Sequence, residues 1–192
     1  TYRCIVLREL TAWRFSDLLL QAVVLGRNSH VLGARILLRS ALETLGTLVY
    51  LNQKMEAVLQ LEESFDSFNE ITSRLMLGSK NQSTQKESVN VVTVLKHCDK
   101  RYTGIFEVYE NLCESAHPNY DGICYGYSYV NEKEYETIFE NRWAKKYGNQ
   151  LAESIALCMD IFETEYNEIW PAKFERLEKW IEENDTMLEA AK

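Results

Sequence analysis

Apolar residues recur every three or four positions through most of the chain, which is the spacing of helices with one buried face. Chain-breaking residues are scarce, because the 192 residues include only 8 Gly and 2 Pro. Sandwiches, barrels and Rossmann-type folds need frequent turns and are therefore disfavoured. The pattern predicts an all-α protein, a single helical bundle of about five to seven helices forming one domain over 1–192. The predicted helices cover about 2–25, 30–52, 54–77, 87–117 and 132–191.

Turn-forming residues divide these predicted helices. Pro118 ends the fourth helix, because the residue before a proline is disfavoured in helical geometry. The polar run at 78–86 is the clearest loop and the strongest candidate for disorder. We expect the core of the bundle at about 2–131 and C-terminal helices at about 132–191. Further interruptions are predicted at 102–104, 147–148 and 170–171.

Charge is distributed unevenly along the chain. The formal net charge is −8, yet the first 50 residues carry six arginines, no lysine and three acidic residues. The acidic total disfavours broad, non-specific binding to nucleic acid, which depends on many basic side chains facing phosphates. The acidic total still allows a local anion site within the first 50 residues, because an Arg side chain can contact a phosphate through two hydrogen bonds at once. Scattered arginines are also common on ordinary protein surfaces.

Cysteine usage and apolar runs predict a cytoplasmic protein without a membrane span. The five cysteines form no C-x-x-C pair, so a disulfide framework or a zinc ribbon is disfavoured and a reducing compartment is favoured. The longest apolar stretch, 31–51, contains three charged residues near its centre, which would make membrane insertion costly. The three histidines do not cluster, so we expect no metal and no cofactor.

A charged stripe marks the second predicted helix. On a helical wheel of about 100° per residue, Arg35, Arg39 and Glu43 lie within an arc of about 80°, and every other position between 31 and 51 is apolar, small or uncharged. One interpretation is a solvated stripe with an Arg39–Glu43 pair worth about 0.3–0.5 kcal/mol. The other is a buried network in which Glu43 holds Arg39 towards a cleft.

A histidine lies at the predicted end of the fourth helix. Tyr109, Cys113 and His117 recur every four residues and share one helix face. The helix dipole favours the protonated form of a histidine at this end, and such a group can act as a general acid or base near neutral pH. The alternative is a capping role, in which His117 hydrogen-bonds a carbonyl of the last turn.

Other chemical motifs are weak or absent. The spacing of Cys113, His117 and Asp121 suits a helix, but Pro118 breaks that helix before Asp121. The sequence contains no P-loop, no G-x-G-x-x-G and no G-x-S-x-G. Aromatic residues alternate in the segment after Pro118. One interpretation is that they stack on nucleic-acid bases, and the other is that they pack on the protein core. They are Tyr120, Tyr125, Tyr127 and Tyr129.

Two motifs together resemble the HEPN-like domains, a group of bacterial helical proteins that includes families of unassigned function and abortive-infection relatives. The motifs are Arg-x₃-Glu on an early apolar helix and, much later, Tyr-x₂-Leu-x₄-His-Pro. The resemblance covers roughly 29–125. It implies an all-α bundle, often dimeric, with a polar site between helices. The residues that carry it are Arg39, Glu43, Tyr109, Leu112, His117 and Pro118.

In active members of that superfamily an Arg and a His cleave RNA without a metal. The resemblance therefore implies Arg39, Glu43 and His117 as catalytic residues, with His117 moving a proton and Arg39 stabilising charge on the phosphate. We expect Arg35, Tyr109, Asn119 and Tyr120 to bind the substrate of such a site. Active members carry Arg-x₄₋₆-His on one helix, a spacing that this sequence lacks.

Two hypotheses of function follow. The first is a HEPN-like, metal-independent ribonuclease or RNA- or nucleotide-binding protein of a toxin or phage-defence system, expected as a homodimer. The alternative is a non-catalytic protein-interaction or dimerisation module with a structural Arg–Glu–His network. Its partner, or a second copy, would bind an apolar stripe on the acidic C-terminal helices. That stripe comprises Trp170, Phe174, Leu177, Trp180 and Ile181.

Overall fold

The computed structural model describes residues 1–190, and it confirms the predicted all-α bundle. Two short strand pairs and two π-helical segments, Tyr120–Tyr125 and Glu165–Ile169, interrupt the helices. The seven α-helices of the described residues are α1 (Tyr2–Arg27), α2 (Val31–Leu59), α3 (Phe65–Leu77), α4 (Val91–Arg101), α5 (Ile105–Ala116), α6 (Trp143–Thr164) and α7 (Trp170–Ala190). The predicted end of the last helix at 191 lies outside the described residues.

Helix α2 is the central element of the bundle. It packs against α1, α3, α4, α5, α6 and α7, because apolar side chains occupy most of its circumference. One core cluster lies around its N-terminal two thirds, where Leu38, Leu42 and Leu45 contact residues of α1, α4, α5 and α6. A second cluster lies around its C-terminal third, where Leu51 and Met55 meet side chains of α3 and α7. The two clusters lie along one helix.

The predicted boundary between the second and third helices is wrong. Helix α2 continues to Leu59, because Met55 and Val58 extend its buried face into the second cluster. The chain turns before α3, with Leu61 at a φ of 60°. The Ser64 side chain then accepts a hydrogen bond from the Ser67 amide at 3.2 Å and caps α3.

The predicted loop at 78–86 begins in β1 (Gly78–Ser79) and ends in β2 (Lys86–Glu87), two short strands that pair in parallel. Arg74 of α3 donates hydrogen bonds to the carbonyls of Glu87 and Ser88, at 3.0 and 3.3 Å. These contacts attach the end of the loop to α3.

The predicted break at 102–104 is confirmed. Gly104 has a φ of +95°, a left-handed conformation that favours glycine. The Asp99 carboxylate accepts hydrogen bonds from the amides of Gly104 and Phe106, at 2.9 and 3.1 Å, so the start of α5 has partners for its free amides. Helix α5 ends at Ala116, immediately before His117 and Pro118, as expected.

The prediction of helix over 132–142 is wrong. This segment belongs to an antiparallel hairpin of β3 (Ser128–Asn131) and β4 (Glu136–Phe139). The turn between them includes Tyr135 at a φ of 55°. Tyr125, Tyr127 and Tyr129 alternate up to and into β3, and this period of two is typical of strands rather than helices.

The predicted break at 147–148 is also wrong, and the one at 170–171 takes another form. Tyr147 and Gly148 lie inside α6, between the buried residues Trp143 and Leu151. At 165–169 the chain stays helical but widens into a π-helical segment that leads directly into α7. Within residues 1–190, no helix combines the length and the apolar composition that a membrane span requires.

Candidate functional site

Arg35 lies at the interface of α2, α5 and α6, and its side chain is only 1% exposed. All three of its nitrogens donate hydrogen bonds to protein groups. Nε donates to the Ser115 hydroxyl at 2.7 Å, and Nη1 donates to Oε1 of Gln150 at 3.2 Å. Nη2 donates to the carbonyl and the side-chain oxygen of Asn111, at 3.0 and 2.7 Å. The predicted substrate-binding Arg35 is thus enclosed by the protein.

None of these four acceptors is a carboxylate, so the positive charge of Arg35 is compensated indirectly. Its guanidinium lies over the ring of Tyr147, and the Tyr147 hydroxyl donates to a carboxylate oxygen of Asp121 at 2.7 Å. Burial lowers the pKa of Arg35, while Tyr147 and Asp121 oppose that decrease. This arrangement fixes three helices and the π-helical segment that contains Asp121.

Arg39 lies one helical turn further along α2, at the edge of the bundle. Its Nε donates to Sγ of Cys113 at 3.0 Å, and its Nη2 donates to the Tyr109 hydroxyl at 3.0 Å. The same Nη2 lies 2.9 Å from Oε1 of Glu43. The Tyr109 hydroxyl in turn donates to that oxygen at 3.1 Å. We call these four residues, Arg39, Glu43, Tyr109 and Cys113, the Arg39 cluster.

The electrostatics of the Arg39 cluster keep its Arg charged and its Tyr neutral. Burial disfavours the charged guanidinium, but hydrogen bonds to Cys113 and Tyr109 and the charge of Glu43 raise the pKa of Arg39 above its ordinary value. Burial and the hydrogen bond with Cys113 raise the pKa of Tyr109 to about 12. Tyr109 is therefore a hydrogen-bond donor to Glu43 at neutral pH and not a general base.

The Arg39 cluster is partly accessible to solvent. The side chains of Arg39 and Glu43 are 27% and 25% exposed. Nη1 of Arg39 makes no hydrogen bond to the residues that the structure describes, so it is the donor available to an outside ligand. The adjacent Glu43 carboxylate opposes the binding of an anion there.

His117 lies outside the Arg39 cluster. Arg39 binds Cys113, and Arg35, one turn earlier on α2, binds Ser115, so α2 and α5 run antiparallel. His117 is therefore level with a part of α2 that precedes Arg35, roughly 9 Å along the helix from Arg39. Its imidazole is exposed and makes no hydrogen bond within the described part of the chain, to a last-turn carbonyl or otherwise.

The other predicted binding residues follow α5. Asn119 accepts a hydrogen bond from the Gly122 amide at 3.1 Å, and its amide group donates to Glu114. Asn119 thereby caps the π-helical segment at Tyr120. The Tyr120 ring is exposed and lies 6.0 Å from the Tyr125 ring. These contacts hold the turn together and do not reach the Arg39 cluster.

The remaining alternating tyrosines pack partly on basic side chains. Nζ of Lys146 lies 2.5 Å from the centroid of the Tyr125 ring, and the guanidinium of Arg142 lies 5.0 Å from that of Tyr129. Tyr127 meets the buried Trp143 edge to face. The segment thus belongs partly to the core and partly to the surface.

The predicted apolar stripe of the C-terminal helices faces inwards. All five of its residues belong to the second core cluster or pack against it, and Trp170 and Leu177 are buried. The expectation that this stripe is exposed to a partner is therefore wrong.

A buried ionic cluster was not predicted from the sequence. Glu165, in the second π-helical segment, is fully buried and accepts hydrogen bonds from Arg101 at 2.8 Å, from Tyr102 at 2.8 Å and from Asn52 at 2.7 Å. Arg101 also pairs with Glu56 at 3.0 Å. In the sequence, Glu165 resembles the many surface acids around it, and no local signal distinguishes it.

Comparison of the chain with protein-family models, with curated proteins and with solved structures found no match. In residues 1–190, no group of three or more His, Cys, Asp or Glu side chains is arranged to hold a metal ion.

Proposed function

We propose that this chain is a non-catalytic helical interaction module in which Arg35 and the Arg39 cluster hold α5 against α2. The hydrogen bonds of both arginines support the proposal, because they end on groups of the protein and connect helices. The network is therefore Arg–Glu–Tyr–Cys in composition, without His117.

An exposed apolar face on α1 carries the proposal. Monomeric soluble proteins rarely expose contiguous apolar patches larger than a few hundred Å², and larger ones mark interaction surfaces. Here one helix exposes six large apolar side chains, and Trp13 alone is 77% accessible. They are Tyr2, Ile5, Leu10, Trp13, Leu20 and Val24.

The experiment compares three proteins: the wild type, Arg39→Ala and His117→Ala. Arg39→Ala removes the partner of Cys113 and Glu43 and should lower the melting temperature, whereas His117→Ala should leave it unchanged. None of the three should cleave cellular RNA. Cleavage by the wild type that is lost in both variants would overturn the proposal.

A second candidate function is the one that the resemblance implies: a HEPN-like, metal-independent ribonuclease or nucleotide-binding protein of a toxin or phage-defence system. One observation favours it, namely that Nη1 of Arg39 has no protein partner in the described residues and its side chain is partly exposed. In this function Arg39 would stabilise charge on a phosphate, and His117 would transfer a proton.

The test of this second function is RNA cleavage in the presence of a metal chelator, with Arg27→Ala as the matched control. Arg27 is exposed at the end of α1, so its loss changes the total charge by the same amount without affecting the Arg39 cluster. Cleavage that survives in Arg27→Ala and is abolished in Arg39→Ala and His117→Ala supports the ribonuclease. If the wild type does not cleave RNA, the ribonuclease function is contradicted. If nucleotide binding persists in Arg39→Ala, a ligand site at Arg39 is contradicted.

A further inference from the structure

Helices α1 and α6 enclose an apolar groove. The ring of Phe15 stacks on that of Phe162 at 4.5 Å, and later residues of α1 face earlier residues of α6, so the two helices run antiparallel. Two cavities between them, of about 610 and 330 Å³, share Val23 and Ile155 in their walls and therefore form one continuous groove. Along α1 the groove extends from Phe15 to Arg27, which is roughly 18 Å, or about three helical turns.

A row of exposed apolar side chains borders the groove on α1. Trp13, Leu20 and Val24 are all exposed and lie within an arc of about 40° on the helical wheel. We call these three residues the α1 ridge. The exposed Tyr2 and Leu10 continue the apolar face towards the N-terminus of α1. A ridge beside a groove is the surface on which another helix packs, whereas an acyl chain in the groove would leave the α1 ridge in water.

Acidic side chains border this surface on both sides. On α6, Glu153, Asp160 and Glu163 are exposed and lie within an arc of about 80° on the helical wheel. Glu163 lines the groove itself. On α1, the exposed Asp17 lies beyond the α1 ridge. None of these four carboxylates forms an ion pair with a residue in 1–190.

Basic side chains are fewer and lie at one end of the groove. Arg27 lines the end opposite Glu163 and is exposed. Lys145, also exposed, precedes the lining residue Gly148 by about one turn of α6. The four acids thus outnumber these two bases, and the surface as a whole complements a basic partner.

We propose that the groove between α1 and α6 binds a basic amphipathic helix of another protein. The proposal rests on the proposed interaction function and names the chemistry of its partner. The apolar face of the bound helix lies in the groove and packs against the α1 ridge, as amphipathic helices do in apolar grooves. Lys or Arg side chains on its flanks pair with Asp17 on one side and with the α6 carboxylates on the other, which gives the contact its specificity.

The same charges disfavour other occupants of this surface. An anionic membrane attracts basic segments, and the excess of unpaired carboxylates here would oppose its approach. A second copy of the chain would bring the same excess of acid to the interface, where like charges are unfavourable. A basic helix is the occupant that satisfies both the apolar groove and its acidic borders.

The first experiment compares two fluorescent peptides of about 18 residues that share one leucine face. One peptide carries Lys on both flanks of that face, and the other carries Glu at the same positions. Fluorescence anisotropy should show that the wild type binds the Lys peptide with a dissociation constant on the order of 10 μM and the Glu peptide at least about 10-fold more weakly.

The second experiment reverses the charge beside the groove. The double variant Asp160→Lys, Glu163→Lys should bind the Glu peptide more tightly than the Lys peptide. The matched control is Glu132→Lys, Glu136→Lys, since both residues are exposed on the β3–β4 hairpin and the total charge changes by the same amount. The control should keep the preference of the wild type for the Lys peptide.

The third experiment tests the α1 ridge. Trp13→Ala should weaken binding of the Lys peptide at least about 10-fold, because a large aromatic anchor is lost from the contact. Tyr135→Ala, at an exposed aromatic residue of the hairpin, should leave binding unchanged. Circular dichroism melting checks that every variant is folded.

The proposal is overturned if the wild type fails to bind the Lys peptide at about 200 μM, or binds both peptides equally, or if either hairpin control changes binding as much as its groove variant. A wild-type dimer that Trp13→Ala dissociates in sedimentation velocity would identify a second copy as the occupant. Wild-type binding to vesicles of phosphatidylcholine and phosphatidylglycerol that Trp13→Ala abolishes would identify a membrane surface. Either result would also overturn the basic helix.

These measurements contain no RNA, so their failure is distinct from failure of the proposed function. RNA cleavage by the wild type that both Arg39→Ala and His117→Ala abolish would overturn the interaction module. Absent peptide binding without RNA cleavage would overturn the basic helix alone.

Discussion

The guanidinium carbon of Arg35 lies 4.2 Å from the centroid of the Tyr147 ring. Arg35 is on α2 and Tyr147 is on α6, so the contact joins two helices that are more than a hundred residues apart in the chain. The aromatic face stabilises a buried positive charge that has no carboxylate in direct contact. Arg35 is therefore a structural residue of the bundle.

Replacing Arg35 by Ala should lower the free energy of unfolding by about 3 kcal/mol, because buried acceptors on Ser115, Asn111 and Gln150 lose their donor. Arg39→Ala is the matched control and should cost about 1 kcal/mol, since its side chain is partly exposed. Urea denaturation at pH 7 measures both values. Equal losses in the two variants would contradict the structural role of Arg35.

Gly126→Ala should destabilise the protein, whereas Gly148→Ala should stabilise it slightly. A Cβ at Gly126 would lie 2.6 Å from the indole atoms of the buried Trp143, so the indole or the chain must shift. A Cβ at Gly148 meets no described atom within 4 Å and lies inside α6. In a helix interior Ala is favoured over Gly by about 0.5–1 kcal/mol.

Thermal unfolding of the two Ala variants beside the wild type measures this difference. A melting temperature of Gly126→Ala equal to or above that of Gly148→Ala would show that Trp143 does not pack against residue 126.

The free energy of unfolding should decrease as the pH rises from 9 to 12. Burial raises the pKa of the Cys158 thiol to about 12 and that of Cys4 to about 11, from an ordinary value of 9. The unfolded chain releases these protons at lower pH than the folded chain, so alkaline pH favours unfolding. The stabilisation is fully present below pH 9 and is lost progressively above it.

Denaturation of the wild type and Cys158→Ala at pH 8, 9, 10 and 11 measures this effect. The variant lacks one of the buried thiols and should lose less free energy of unfolding over that range. Parallel pH profiles for the two proteins would exclude Cys158 as a contributor.

Glu165→Gln should cost more stability than Glu56→Gln, although both carboxylates bind Arg101. Glu165 is fully buried, and its carboxylate accepts hydrogen bonds from Arg101, Tyr102 and Asn52, so the variant removes the buried negative charge and places an amide donor among three other donors. We expect a loss of about 3 kcal/mol for Glu165→Gln and below about 1 kcal/mol for the more exposed Glu56→Gln. Urea denaturation that ranks the two variants in the opposite order would contradict the burial of Glu165.

Helices with a clear apolar period could be predicted from the sequence, and so could breaks that one residue enforces. Pro118 follows the end of α5 and Gly104 precedes its start, and both act through local backbone geometry, which the sequence carries directly. The hairpin at 128–139 was missed because its strands are short, and its turn residues do not include the glycines typical of such turns.

The candidate site could be predicted only in part. The wheel of α2 brought Arg35, Arg39 and Glu43 together, and the spacing of α5 put Tyr109 and Cys113 on one face. The helical register between α2 and α5 is a tertiary property, and it determines that Arg39 meets Cys113 rather than His117. The burial of Arg35 and Glu165 also depends on partners far along the chain.

The second π-helical segment sets the rotational phase of α7 relative to α6. Inward positions of α6 follow each other by three or four residues up to Glu165, the next is Trp170 five residues later, and the spacing of three and four then resumes. One residue fewer in 165–169 would turn α7 by about 100°. Trp170 and Leu177 would then leave the second core cluster, so this single extra residue lets α7 face that cluster while the preceding α6 faces the first.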